Sequence, residues 1–331
     1  MDEYDYTVNK IQQWYNKKVK TLSIIAPPFN TLLIFEKLIV DIVKKGGKVL
    51  YIWGEDGENK KILDMIRKYA TIDITHSAIE EGEGLNNINQ VNYKNVEKVI
   101  GNYELTIFDD ISVFSRISKQ AIAIKYLWIS HLSNKVILYT VDRAITIGDT
   151  IEMAHTYKNF PFVEPRILST RIDLKQDIPY MVYDYLKWFL DKNKNAIIYV
   201  PDEESLNIVY GYYSNKLKIQ DAKVICISKN EKISSNISKI KDRSVLIITD
   251  CLEYDIESYK VENAIVLFAD SKKYNYKKLI YICGKIGTVN RKLPEVLLVA
   301  NEITEDMNKA KIIAQGFNKK VWERKYKNYL K

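Results

Sequence analysis

Asp109 and Asp110 close an apolar run, L-T-I-F-D-D at 105–110. An aspartate at the carboxyl end of a buried strand is placed to hold a divalent metal that bridges a phosphate. A second stretch suited to phosphate chemistry lies upstream. Residues 22–45 read as a buried strand, a sharp turn and a helix: L-S-I-I-A, then P-P-F-N, then T-L-L-I-F-E-K-L-I-V-D-I-V-K-K. A phosphate loop with that layout needs glycine N–H groups, a lysine and a Ser or Thr hydroxyl for magnesium. Here Asn30, Thr31, Leu32 and Leu33 follow two prolines and a phenylalanine, and no glycine precedes Gly46. Only the helix N-terminus remains to attract an anion. Two readings stay open, a decayed phosphate site or an ordinary βα turn that never held one. For Asp109 the structural alternative is a residue that ends its strand and meets only water.

Basic and aromatic residues interleave in two further places. The segment 317–331, F-N-K-K-V-W-E-R-K-Y-K-N-Y-L-K, carries Lys319, Lys320, Arg324 and Lys325 beside Trp322, with Tyr326 and Tyr329 continuing the tryptophan's stripe at i+4 and i+7 of a helix. Lys272, Lys273, Lys277 and Lys278 surround Tyr274 and Tyr276. One reading is a surface that tracks phosphates and stacks single-stranded bases. The other is an aromatic stripe packed inward with lysines that keep the protein soluble.

The elements that must position these groups alternate along the whole chain. In the first half, strands are expected at 22–26, 49–53, 71–75, 105–109 and 135–140, with helices at 31–45, 59–68, 94–100 and 117–131. The second half repeats the scheme, with strands at 195–200, 222–227, 244–249, 263–268 and 295–299 and helices at 178–191, 203–216, 233–241, 277–286 and 304–319. Short Ile, Val and Leu runs of this kind suit parallel strands buried on both faces. The P-F-V-E-P stretch at 161–165 is the natural connector, so the expected architecture is two successive α/β domains, 1–163 and 164–331, each a mostly parallel sheet flanked by helices. Ligands of such sheets sit at the carboxyl ends of the strands.

Composition narrows the classes. The chain has 331 residues, 47% hydrophobic and 28% charged, as expected for two globular domains. No apolar run is long enough to cross a bilayer, and M-D-E-Y-D-Y lacks the features of a signal peptide, so a cytosolic protein is expected. Cys226, Cys251 and Cys283 are far apart in apolar runs and form neither a disulfide framework nor a paired zinc motif. His76, His131 and His155 are isolated from any nucleophile motif. The net charge of +8 is unevenly placed: residues 1–165 hold 20 Lys+Arg against 21 Asp+Glu, and residues 166–331 hold 30 against 21. A basic second half suits an acidic partner, nucleic acid first and an anionic membrane surface second, or else a solvated face with no partner.

Taken in order, several segments resemble the motifs of superfamily 2 helicases, and most closely the ComF operon protein A family of late-competence DNA-uptake ATPases. L-S-I-I-A-P-P-F-N-T-L-L resembles the phosphate-loop segment, L-T-I-F-D-D-I-S-V-F the segment L-I-I-D-E-V-D-A-F, and V-I-L-Y-T-V-D the segment Y-L-T-A-T-P. In the second half N-A-I-I-Y-V-P resembles P-V-L-I-F-V-P, and V-L-I-I-T-D-C-L-E-Y-D-I-E resembles I-L-V-T-T-T-I-L-E-R-G-V-T. L-I-Y-I-C-G-K-I-G-T-V resembles L-V-Q-I-A-G-R-V-G-R-S, and M-N-K-A-K-I-I-A-Q-G-F-N the closing motif. The likeness spans about residues 7 to 320. It implies two tandem RecA-like domains, ATP and Mg as cofactors, single-stranded DNA as ligand, and competence proteins as partners, including a ComF phosphoribosyltransferase-like protein, at the inner face of the membrane.

The resemblance assigns Asp109 to magnesium and Asp110 to the attacking water, one methylene short of the usual Glu. It places Asn30, Thr31, Leu32, Leu33, Gly284 and Gly287 at the nucleotide and Lys285 where the family has an arginine. The departures are concentrated there. Leu32 and Leu33 replace the family's lysine and threonine, Tyr281 its glutamine, and Lys285 and Thr288 its two arginines, while the four-cysteine zinc module is missing. Loss of an arginine finger alone costs about 10³ to 10⁵ in turnover. Lysine keeps the charge but not the planar fork. Three readings follow: a DNA-binding helicase homologue with little or no ATP hydrolysis, an active translocase with an atypical phosphate site, or an interaction scaffold without either ligand.

Overall fold

The computed structural model describes residues 3–30, 32–54, 56–69, 74–111, 117–153, 161–190, 194–217, 222–229, 244–252, 260–289 and 294–329, excluding the side chains at 61, 65, 69, 289 and 324–329. Two compact units emerge, Met1–Asn159 with Lys320–Lys331, and Phe160–Lys319.

The first unit is built on a seven-stranded sheet with the order β3-β5-β2-β7-β8-β1-β9, parallel throughout. The strands are β1 (Thr21–Ile25), β2 (Val49–Trp53), β3 (His76–Ala78), β5 (Ile88–Asn92), β7 (Tyr103–Asp109), β8 (Ser133–Thr140) and β9 (Asp149–Glu152). β4 (Gly82–Glu83) and β6 (Val99–Ile100) form a separate parallel pair. α1 (Glu3–Tyr15), α2 (Glu36–Lys44), α3 (Lys60–Tyr69) and α4 (Lys119–Leu132) complete the unit. β1, β2 and β5 are buried at every position: β2 is a continuous apolar run, β1 is apolar apart from the small hydroxyls of Thr21 and Ser23, and β5 combines Ile88 and Val91 with the buried amides of Asn89, Gln90 and Asn92. Each fully buried Ile, Leu or Val contributes about 1.5–3 kcal/mol of transfer free energy.

The second unit repeats the scheme with six parallel strands in the order β10-β15-β14-β11-β13-β12. These are β10 (Arg166–Ser169), β11 (Asn195–Tyr199), β12 (Ala222–Ile227), β13 (Ser244–Thr249), β14 (Val261–Leu267) and β15 (Val296–Ala300). Its helices are α5 (Tyr180–Leu190), α6 (Glu203–Gly211), α7 (Tyr276–Val289) and α8 (Glu305–Tyr329), the last extending into residues that group with the first unit. Asp202 caps α6 by accepting a hydrogen bond from Ser205 N–H.

Three helix expectations need correction. The helix expected at 31–45 begins only at Glu36, after a 3-10 turn at Leu32–Phe35, because Phe35 stands at its N-cap and offers no side-chain acceptor. The helix expected at 94–100 is a 3-10 turn, Val96–Lys98, followed by β6, in keeping with the strand preference of Val99 and Ile100. The helix expected at 203–216 passes at Gly211 into a π turn, Tyr212–Lys216. The expected connector at 161–165 is fastened within the second unit: Asn318 accepts from Phe162 N–H (2.7 Å) and donates to Phe162 O (2.9 Å) and Glu164 Oε1 (2.7 Å). Most of the strand expected at 71–75, and the helix expected at 233–241, lie outside the described residues. α1, β3, β4, β5, β9 and β10 carried no expectation and are additions.

Candidate functional site

Strand order points to where each sheet would receive a ligand. From β1 the chain runs past β8 and β7 to β2, whereas from β8 it runs past β1 to β9. Adjacent strands whose connections leave in opposite directions open a crevice at their carboxyl ends. That crevice is where the 26–30 turn, Asp109 and Tyr139 meet the sheet.

Asp109 ends β7 opposite Tyr139 of β8 and is fully buried. Its Oδ2 accepts a short hydrogen bond from the Tyr51 hydroxyl, and its Oδ1 accepts from Ile111 N–H at 3.1 Å. Asp110 is also buried, and its N–H donates to Tyr139 O at 2.9 Å. Asp109 therefore does cap its strand, but against protein groups rather than water. Burial raises the Tyr139 phenol above its usual range, with the Asp109 charge adding to the effect, and its hydroxyl has no hydrogen-bond partner among the described residues. The Tyr139 ring meets Phe35 edge-on at 5.2 Å. Tyr51 was not singled out in the sequence. The signal for it was a polar-tipped ring within the otherwise apolar V-L-Y-I-W.

The turn that follows β1 supplies little for a phosphate. Pro27 and Pro28 are buried and lack N–H groups, and Phe29 takes a left-handed conformation at φ +63°. Leu32 and Leu33 lie in the 3-10 turn, where Leu33 O accepts from the Tyr4 hydroxyl at 3.4 Å. Asn30 is half-buried, and Thr31 lies outside the described residues. The first turn of α2 carries its own carboxylate, Glu36, whose pKa is raised by partial burial. Each carboxyl oxygen of Asp109 thus accepts one hydrogen bond from the protein, and the described residues of the turn include neither a glycine nor a lysine. No cluster of three metal-ligating side chains occurs among the described residues.

In the second unit the G-K-I-G-T stretch lies inside α7. Lys285 is buried, and its Nζ donates to Leu252 O at 2.8 Å, tying the helix to the turn after β13. Thr288 Oγ1 donates to Lys285 O at 2.7 Å. Gly284 is a helical position, and a Cβ on Gly287 would come 3.3 Å from Val163 Cγ2, so this glycine permits close packing.

The basic residues separate into several environments. Lys272 is exposed, whereas Lys273 pairs with Asp202 at 3.0 Å and Lys278 donates to Lys273 O. Lys277 is only 4% exposed, which removes it from any phosphate-facing surface. Tyr274 and Tyr276 are buried, and Lys309 Nζ sits 3.4 Å from the Tyr276 ring centroid. In α8, Lys319 is exposed, Lys320 pairs with Glu152 at 2.5 Å, and Trp322 is 59% exposed. Arg324 and Lys325 continue the helix, their side chains outside the described set.

No protein-family model matches the chain, and no curated protein matches it. Solved structures do. RecG bound to a three-way DNA junction superposes with a TM-score of 0.53 at 8% identity, over 96% of this chain and 46% of that one. S. cerevisiae Dbp5 bound to RNA and ADP BeF3 gives 0.52 at 11% identity, over 96% and 91%. The DUF1998 helicase MrfA bound to DNA gives 0.50 at 12% identity, over 96% and 48%. The chain thus spans about half the length of MrfA and RecG and nearly all of Dbp5. No helix among the described residues is long and apolar enough to cross a membrane. The fold is that of the tandem RecA-like domains of helicases.

Proposed function

We propose that this chain is a nucleic-acid-binding protein of the superfamily 2 helicase fold, of the ComF operon protein A kind, that engages single-stranded DNA and hydrolyses little or no ATP. The observation that carries this reading is the state of Asp109: a buried carboxyl with both oxygens held by Tyr51 and Ile111, beside a P-P-F-N turn without a phosphate cradle. Lys285, bonded to Leu252 O, adds a second site position turned to a structural task. The ATP and Mg implied by the resemblance therefore have no role in the proposed activity.

Nucleic-acid binding rests on other residues. Lys272, Lys319 and Trp322 are exposed, and Arg324 and Lys325 continue the same helix as Trp322. Cations beside an exposed indole suit phosphate contact with base stacking. The competence machinery, with a ComF phosphoribosyltransferase-like protein, is the proposed setting, at the cytosolic face of the membrane. The test is binding of a fluorescent oligothymidylate across a salt series. Affinity that falls steeply with salt, and falls again in Lys319→Glu/Trp322→Ala, supports the reading. An absent or salt-independent signal would favour an interaction scaffold.

A further inference from the structure

A groove of about 630 Å³ runs along β9, the last strand on one side of the first unit's sheet. It is lined by one face of α1, the loop before β9 and β9 itself, and it includes Lys10, Trp14, Lys17, Arg143 and Thr150. Met153 N–H donates to Ile25 O at 2.8 Å, so in this parallel ladder Ile151 and Met153 turn their backbone groups toward β1. Thr150, by alternation, directs its N–H and C=O outward, and its side chain is exposed. Among the described residues no strand pairs with this side of β9, and such an edge is a template for another strand.

Charge selects the occupant. The two carboxylates of the groove are matched, Asp149 by Lys17 at 2.8 Å and Glu152 by Lys320 at 2.5 Å. Arg143 bonds only the carbonyls of Ile145 and Thr146, and Lys10 lies 5.7 Å from the Tyr6 ring centroid. Neither cation has a carboxylate partner among the described residues, so the groove is left net positive. The buried Trp14 on its wall keeps an indole N–H without an acceptor among the described residues. We propose that the groove docks an acidic, extended segment of a partner protein, which adds to β9 as a further strand. The main-chain ladder supplies affinity, and Lys10 and Arg143 select acidic side chains. A nucleic-acid strand would satisfy the cations but has no alternating N–H and C=O to meet Thr150.

The test uses the full chain and a fluorescein-labelled octapeptide of alternating Glu and Val, with a Lys/Val octapeptide and an oligothymidylate as comparisons. Anisotropy gives affinity, and hydrogen exchange follows the Thr150 amide. The Glu/Val peptide is expected to bind at least about ten-fold more tightly than the Lys/Val peptide and to slow exchange at Thr150. Thr150→Pro, which removes an outward N–H, and the surface variant Lys10→Glu/Arg143→Glu should each weaken binding by about ten-fold or more. The charge variant decides the matter should the proline variant fold poorly. Equal affinity for both peptides, unchanged exchange at Thr150, or displacement of the peptide by oligothymidylate with protection of the same amide would overturn the proposal.

Discussion

A carboxylate at a strand end acts according to what its neighbours leave open. Asp109 has its Oδ2 taken by Tyr51 and its Oδ1 by Ile111 N–H, and both Asp109 and Tyr51 are almost fully buried. Tyr51→Phe leaves the carboxyl short of one donor in a dry environment. We expect a loss of about 1.5–3 kcal/mol in urea unfolding, the range for a hydrogen bond to a charged group. Tyr139→Phe has the opposite sign. Its buried hydroxyl has no partner, so deleting it should leave stability unchanged or raise it by up to about 1 kcal/mol, read from the same unfolding curves. A large loss in Tyr139→Phe would mean that the hydroxyl is satisfied by an internal water.

Among the elements, helix ends show most clearly what the sequence conveyed. Asp202 caps α6, and Ser205 N–H, then the Ser205 hydroxyl and Lys273, hold its carboxyl down to about 2 against the effect of partial burial. A carboxyl held below its ordinary value stabilises the fold fully above that value and loses the contribution as pH falls toward 2. Asp202→Ala should cost about 1 kcal/mol near neutral pH, and the difference from the parent protein should shrink between about pH 4 and 2 in thermal melts. The D-E-E-S sequence made this helix start legible, with acids in its first turn. The strands were legible for a similar reason: β2, β12 and β13 are uninterrupted or nearly uninterrupted apolar runs whose ends coincide with the expected ones. The 31–45 helix was misplaced by several residues because amphipathic spacing does not distinguish a 3-10 turn from the first turn of an α-helix. β9 and β10 escaped notice because each is a four-residue edge strand with buried and exposed positions mixed. Of the site, the position of Asp109 could be read from the sequence. Its partner Tyr51 could not, since 58 residues separate the two and only the β2–β7 pairing brings them together.

For the molecule as a whole, charge is the property that bears on the proposed nucleic-acid ligand. The second half carries the positive excess, 30 Lys+Arg against 21 Asp+Glu. If about four cations contact phosphates, log Kd for oligothymidylate should change with log salt with a slope of about 3, and Lys272→Glu/Lys319→Glu should lower that slope by one to two. A slope near zero would place the basic residues in a purely solubilising role.

The most direct measurement of the central claim is phosphate release by the purified chain at saturating ATP and magnesium, with and without oligothymidylate, for the parent and for Asp109→Ala. The account predicts turnover at background in all four conditions, while the parent still binds the oligonucleotide. DNA-stimulated hydrolysis in the parent that disappears in Asp109→Ala would contradict it.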